Sequence, residues 1–165
     1  MKNVTGVKNE ISAGYHSSVI DNEDAIVAQA IQILENRYLR GQAITSSESC
    51  KDYLRLKFGE LEHEIFALIH LDNQHRVIQV EELFRGTIDG ASVYPREVVK
   101  SCLLKNSAAV IFCHNHPSGI ATPSQSDISI TKKLKNALDM VEIRVLDHVI
   151  VSQIETVSFS ERGLL

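Results

Sequence analysis

Apolar residues in this chain recur at two spacings, and the change between them marks out the elements. In residues 21–42, Ile26, Val27, Ala30, Ile31 and Leu34 fall at helical period behind a possible cap at Asp21 or Asn22, predicting a helix that stops before Gly41. Residues 1–20 are polar and lack either period, so they are expected to form a mobile tail or interaction arm. Thr45-x-x-Glu48 has the form of a capping box, and Cys50, Tyr53, Leu54 and Phe58 predict a short helix closed by Gly59. From Glu64 the pattern becomes a near-continuous apolar run to Leu71, as in a strand covered on both faces. Asp72-Asn73-Gln74-His75 predicts a turn, and residues 77–84 a returning strand.

Residues 86–92 read as a loop. Pro95 suits the first position of a helix whose apolar side is Val98, Val99, Cys102 and Leu103. Residues 108–113 are short, apolar and partly β-branched, a buried strand. Ile128, Thr131, Leu134, Leu138 and Val141 give a helix over 124–141 one inward stripe, and strands follow at 143–151 and 157–159. Strand, helix, strand in succession predicts an α/β fold: a three-layer α/β/α sandwich with a mixed sheet, preceded by two N-terminal helices. The organisation expected is a tail (1–20), an N-terminal helix (21–42) and one domain (43–165), with its boundary near Gly41. No internal repeat is visible.

Composition narrows the function classes. Hydrophobic residues make up 44% and charged residues 23% of 165 positions, ordinary for a globular chain. A net charge of −4 leaves no basic footprint for nucleic acid, so that partner is not expected. No apolar run is long enough to span a membrane, and the N-terminus lacks a signal-like core. Cys50, Cys102 and Cys113 are scattered and odd in number, which fits reduced thiols and a cytoplasmic location.

The candidate chemistry lies in His114-Asn115-His116-Pro117, then Ser124-Gln125-Ser126-Asp127. At strand period His114 and His116 project to one side while Cys113 and Asn115 turn away, and Pro117 favours extended backbone before it. Asp127 would sit in the first turn of the following helix, near that strand end. Two imidazoles and one carboxylate form a zinc-suited set that leaves a fourth position for water, which is what metal-assisted hydrolysis needs. A competing reading makes Ser124-x-x-Asp127 only a helix cap. The two are compatible for Ser124, whose oxygen can accept the helix amide while its proton points at an oxyanion. Asp147 and His148 are neighbours in a strand and cannot both reach one metal, so a structural or anchoring role is expected. His70 reads as packed or at an edge, Cys113 as core, and His16, His63 and His75 as surface residues.

This string resembles the JAMM (MPN+) metalloprotease signature, and more narrowly the RadC-like family. Further matching stretches are Glu64-Ile65-Phe66-Ala67-Leu68, Leu83-Phe84-Arg85-Gly86-Thr87, Val93-Tyr94-Pro95-Arg96-Glu97 and Leu146-Asp147-His148-Val149-Ile150, so the likeness covers roughly residues 50–165. The resemblance implies a cytidine-deaminase-like, MPN-type fold and a zinc ion on His114, His116 and Asp127. It also implies a peptidase-type activity in which an upstream glutamate activates water and Ser124 assists. Residue patterns alone do not choose that glutamate among Glu62, Glu64, Glu81 and Glu82; the resemblance selects Glu64, with Glu81 or Glu82 as the alternative. The expected substrate is a protein or peptide, cut at a peptide or isopeptide bond.

Other classes fit less well. His-Asn-His is contiguous here, whereas HNH nucleases disperse those residues along a ββα-metal element. A cytidine-type deaminase needs His-x-Glu and Pro-Cys-x-x-Cys, and neither is present. The alternative kept is a DNA-repair-associated or protein-binding module with a vestigial metal site. Oligomeric state is not legible in the chain.

Overall fold

A computed structural model of the chain describes residues 10–39, 47–86 and 93–165. In order, the elements are α1 (Glu10–Leu39), α2 (Ser47–Phe58), β1 (Ile65–Leu71), β2 (Val77–Arg85), α3 (Pro95–Leu104), β3 (Ala109–Asn115), α4 (Gln125–Asp139), β4 (Arg144–Val151) and β5 (Thr156–Ser158). The strands form one mixed sheet in the order β2-β1-β3-β4-β5. Only β3 and β4 run parallel, joined by the crossover helix α4; the other pairs are antiparallel.

The three-layer α/β/α sandwich expected from the sequence is present. β1 and β3 are buried along their whole length because both faces are covered. On one face, Ile65, Ala67, Ile69, Ala109, Ile111 and Cys113 pack with Cys50, Tyr53, Leu54 and Phe58 of α2. On the other, Phe66, Leu68, Val110 and Phe112 pack with Val98 and Cys102 of α3 and Leu134 and Leu138 of α4. α2 therefore shares the domain's own core. Gly59 closes α2 where a Cβ would meet the carbonyl oxygens of Arg55 at 2.5 Å and Ser152 at 2.9 Å, so only glycine lets the chain pass there.

Several boundaries differ from expectation. α1 begins at Glu10 and not at Asp21 or Asn22, so part of the stretch read as a tail is helical. No proline interrupts residues 10–21, and each residue added to an existing helix gains one backbone bond. Residues 1–9, the Gly41 boundary, Thr45 of the expected capping box and loop residues 87–92 lie outside the described residues. Ile31 and Leu34 pack on the α2-side core, while Ile26 is 57% exposed, so the α1 stripe is narrower than its apolar content. Leu103 is 56% exposed at the end of α3, and Val141 lies two residues past Asp139, the last residue of α4, outside its inward stripe. Pro95 opens α3, as its fixed φ suits it to do.

Candidate metal centre

β3 carries His114 near its end, and His116 follows just beyond it, on the same α4-covered face. Asp127 is the third residue of α4, whose N-cap is Ser124. His114 Nε2 lies 2.9 Å from His116 Nε2 and 3.3 Å from Asp127 Oδ1, and His116 Nε2 lies 3.6 Å from Asp127 Oδ2. One donor atom from each of the three residues falls within 4.8 Å of the others. Ligands sharing a tetrahedral zinc at about 2.0–2.1 Å stand roughly 3.3 Å apart, so the observed spacings fit that ion. Side-chain exposures of 10%, 15% and 15% keep the donors sheltered yet reachable.

The capping reading is also true. Ser124 Oγ accepts the Asp127 N–H at 3.1 Å, and Asp127 Oδ2 accepts the Ser124 N–H at 2.7 Å. A carboxylate has lone pairs enough for both duties, so the cap holds Asp127 in place while its oxygens face the imidazoles.

Donor chemistry supports a cation. His116 Nδ1 sits 2.7 Å from the Ile120 carbonyl, which can only accept, so the ring proton is on Nδ1 and Nε2 offers a lone pair. That lone pair faces another imidazole and a carboxylate, an arrangement that a positive charge stabilises. The pKa values agree: the Asp127 contact raises that of His116, with a smaller push from Glu64. Burial alone would raise Asp127, but its close contacts with His114, His116 and Ser124 outweigh it and hold the carboxyl well below the usual range.

Glu64 precedes the first residue of β1. The β1–β3 register pairs Phe66 with His114. Continued two residues, that register sets Glu64 across from His116 and on the same face. Glu81 is engaged elsewhere: its carboxylate meets His70 Nε2 at 3.2 Å and accepts from Ser101 Oγ. Glu82 pairs with Arg85, and opposite Ala67 it faces the α2 side of the sheet. Of the three, Glu64 is the one whose charge helps to raise His116.

Asn115, between the two histidines, turns to the other face and is fully buried. Its Oδ1 accepts the Ile65 N–H at 2.7 Å, and its Nδ2 donates to the carbonyls of Leu61 and His63 at 3.2 and 3.0 Å. One carboxamide thus pins the segment that carries Glu64 to the strand that carries His114. Asn115→Ala would orphan three backbone groups, and a loss of about 2–4 kcal/mol in chemical denaturation is expected.

A cavity of about 210 Å³ adjoins the three residues, lined by Ile65, Phe66, Val93, Ile130, Ser126, His114 and Asp127. His148, expected with Asp147 to have a structural or anchoring role, does not join the set. It is fully buried behind His114, with Nε2 2.8 Å from His114 Nδ1 and Nδ1 2.6 Å from Thr131 Oγ1. Asp147 turns away and accepts from Ser158 Oγ and the Ser160 N–H, the anchoring role expected of it. His70 is packed as expected, its Nδ1 2.9 Å from Ser107 Oγ. His63 and His75 are half-buried and not surface residues. Cys113 is core, its thiol pushed well up by burial.

Burial lowers the pKa of both His148 and His70 from 6.5. Each then binds a proton more readily unfolded than folded, so stability is present above 6.5 and declines as pH falls below it. His116, raised, works the other way, one residue against two. In chelator-treated protein the unfolding free energy from denaturant titration is expected to drop on going from about pH 7.5 to about 5.5, by at most about 1.4 kcal/mol per pH unit for each uncompensated histidine.

Residues 44–164 match the family described as RadC-like JAB domain. A Vibrio cholerae serotype O1 protein named UPF0758 protein is 57% identical over 143 residues, covering 87% of this chain and 90% of the relative. A second protein of that name and organism is 52% identical over 157 residues, or 95% and 99% of the two chains. A Marinobacter nauticus relative, also named UPF0758 protein, is 52% identical over 141 residues, and there the match spans only 63% of its length. That shared name states no activity.

Proposed function

The chain belongs to the RadC-like JAB domain family, and from that premise we propose that it is a zinc-dependent hydrolase of amide bonds in peptides or proteins. The observation that carries this reading is the convergence of His114 Nε2, His116 Nε2 and the Asp127 carboxylate. Three protein ligands from nitrogen and oxygen leave a coordination position open, the arrangement of catalytic and not structural zinc. A zinc ion held there would polarise a carbonyl and bring the pKa of bound water towards neutrality.

The protein's own groups supply the rest. Glu64 takes the proton of the attacking water and returns it to the departing amine. Ser124 Oγ uses a lone pair for the Asp127 N–H, which leaves its proton for the developing oxyanion. Ile65, Phe66, Val93 and Ile130 give the adjoining cavity apolar walls that shelter a substrate side chain from water. No helix among the described residues is long and apolar enough to cross a membrane. Net charge of −4 supports a peptide over a nucleic acid as partner, and a cytoplasmic setting fits the three free thiols.

The test combines zinc stoichiometry with cleavage of a peptide library, and DNA binding over a salt series. One zinc per chain and chelator-sensitive cleavage would bear the reading out. A folded protein that takes up no zinc, or binds DNA with a steep salt slope and cuts nothing, would favour the vestigial or repair-associated alternative.

A further inference from the structure

Two buried polar groups, His148 and Thr131, run in sequence behind the candidate ligands, from His114 to the backbone of Asp127. His114 Nδ1 lies 2.8 Å from His148 Nε2, His148 Nδ1 lies 2.6 Å from Thr131 Oγ1, and Thr131 Oγ1 lies 2.5 Å from the backbone carbonyl of Asp127. His148 and Thr131 are 0% and 1% exposed, so no water competes for these contacts. The His148 ring is enclosed by Phe66, Phe112 and Phe159, with centroids 5.6, 5.7 and 4.7 Å away.

Proton positions follow from the last contact. A carbonyl only accepts, so the Thr131 hydroxyl donates to Asp127. Having spent its proton, Thr131 Oγ1 can only accept from His148, which places the His148 proton on Nδ1. Neither His148 nitrogen meets a carboxylate, so in its aromatic enclosure the ring is neutral and Nε2 carries a lone pair. That lone pair accepts the His114 Nδ1 proton, and His114 is left with its own lone pair on Nε2, aimed at His116 and Asp127. We propose that His148 and Thr131 are positioning residues that fix the tautomer of His114 for metal binding and tie that ligand on β3 to α4, which carries Asp127. The ligand's acceptor is itself an imidazole set by a hydroxyl, in the place where metal-bound histidines more often face a carboxylate or carbonyl. This inference rests on the zinc reading only for its consequence; the Nδ1 proton of His114 is set by His148 and Thr131 without metal.

Two measurements test it. Long-range ¹H–¹⁵N spectra of the chelator-treated protein above neutral pH should show His114 protonated on Nδ1 and His148 on Nδ1. A His114 ring without a proton on Nδ1 would overturn the proposal, and this measurement needs no substitution. Thr131→Val keeps shape but removes the hydroxyl; zinc Kd by competition with a chromophoric chelator is expected to rise about 10–100-fold, and Thr131→Ser to recover most of it. A folded Thr131→Val protein with unchanged Kd and unchanged His114 tautomer would also overturn it, and should that variant not fold, the spectra of the unaltered protein decide. If the unaltered protein takes up no zinc, the hydrolase reading fails while the tautomer result still judges the chain.

Discussion

Glu64→Gln is expected to leave one zinc per chain and to lower turnover by about 10²–10⁴-fold, the range typical of a positioned general acid–base. Glutamine keeps the size and the hydrogen-bonding shape of the side chain and removes only its basicity. Among the described residues, the titratable groups nearest the site are committed elsewhere. His116 directs its Nδ1 proton at Ile120, Asp127 is held well below the usual carboxylate range, and Glu81 is tied to His70 and Ser101. The loss should fall on kcat more than on KM, because Glu64 acts on the proton in flight and not on substrate binding. The check pairs metal analysis with kinetics on one preparation. Loss of zinc in Glu64→Gln would make Glu64 a ligand, and full activity would return the base to Glu82 or to another group.

Glu64 also shows where a sequence stops being legible. Its place before an apolar run marks it as a strand start, but four glutamates share such positions, and only the pairing of β1 with β3, extended two residues past Phe66 and His114, singles one of them out. Pairing partners lie some 50 residues apart in the chain, and no local spacing records them. The histidines are legible because a strand alternates faces over two residues, a rule that needs no partner. Asp127 is legible because a capping box places its third residue at a helix start, and that box proves to be compatible with facing the imidazoles.

Other residues escape a reading of the sequence for a related reason. Thr131 falls on the inward stripe of α4 and counts there as one more packing position, yet its hydroxyl reaches a histidine 17 residues later. Periodicity reports which way a side chain faces and says nothing of what it meets. The strand rule correctly denies His148 and Asp147 a shared metal, but it cannot see a residue standing behind a ligand. It also places Asn115 on the far face without a role, though the carboxamide holds the segment bearing Glu64. Leu103 errs the other way: it lies at helical spacing, but α3 ends within a residue of it and leaves it in solvent.

Asp127→Ala and Asp127→Asn together separate the two duties of that carboxylate. Alanine removes the acceptor for the Ser124 N–H and the oxygens facing His114 and His116, so both helix stability and zinc should be lost. The stability part is bounded by what a cap contributes, about 0.5–2 kcal/mol. The metal part is expected to exceed the roughly 10–100-fold typical of residues that merely orient a ligand. Asparagine keeps a carbonyl oxygen for the cap and gives up the charge, so chelator-treated Asp127→Asn should melt closer to the unaltered protein than Asp127→Ala does. Its zinc affinity should nonetheless fall nearly as far, because a neutral amide is a poor partner for a divalent cation beside two neutral imidazoles. Competition titration with a chromophoric chelator and thermal melts of the metal-free forms supply the two readings. Should both variants retain undiminished zinc, Asp127 would be a cap alone, and the metal would be held by groups other than its carboxylate.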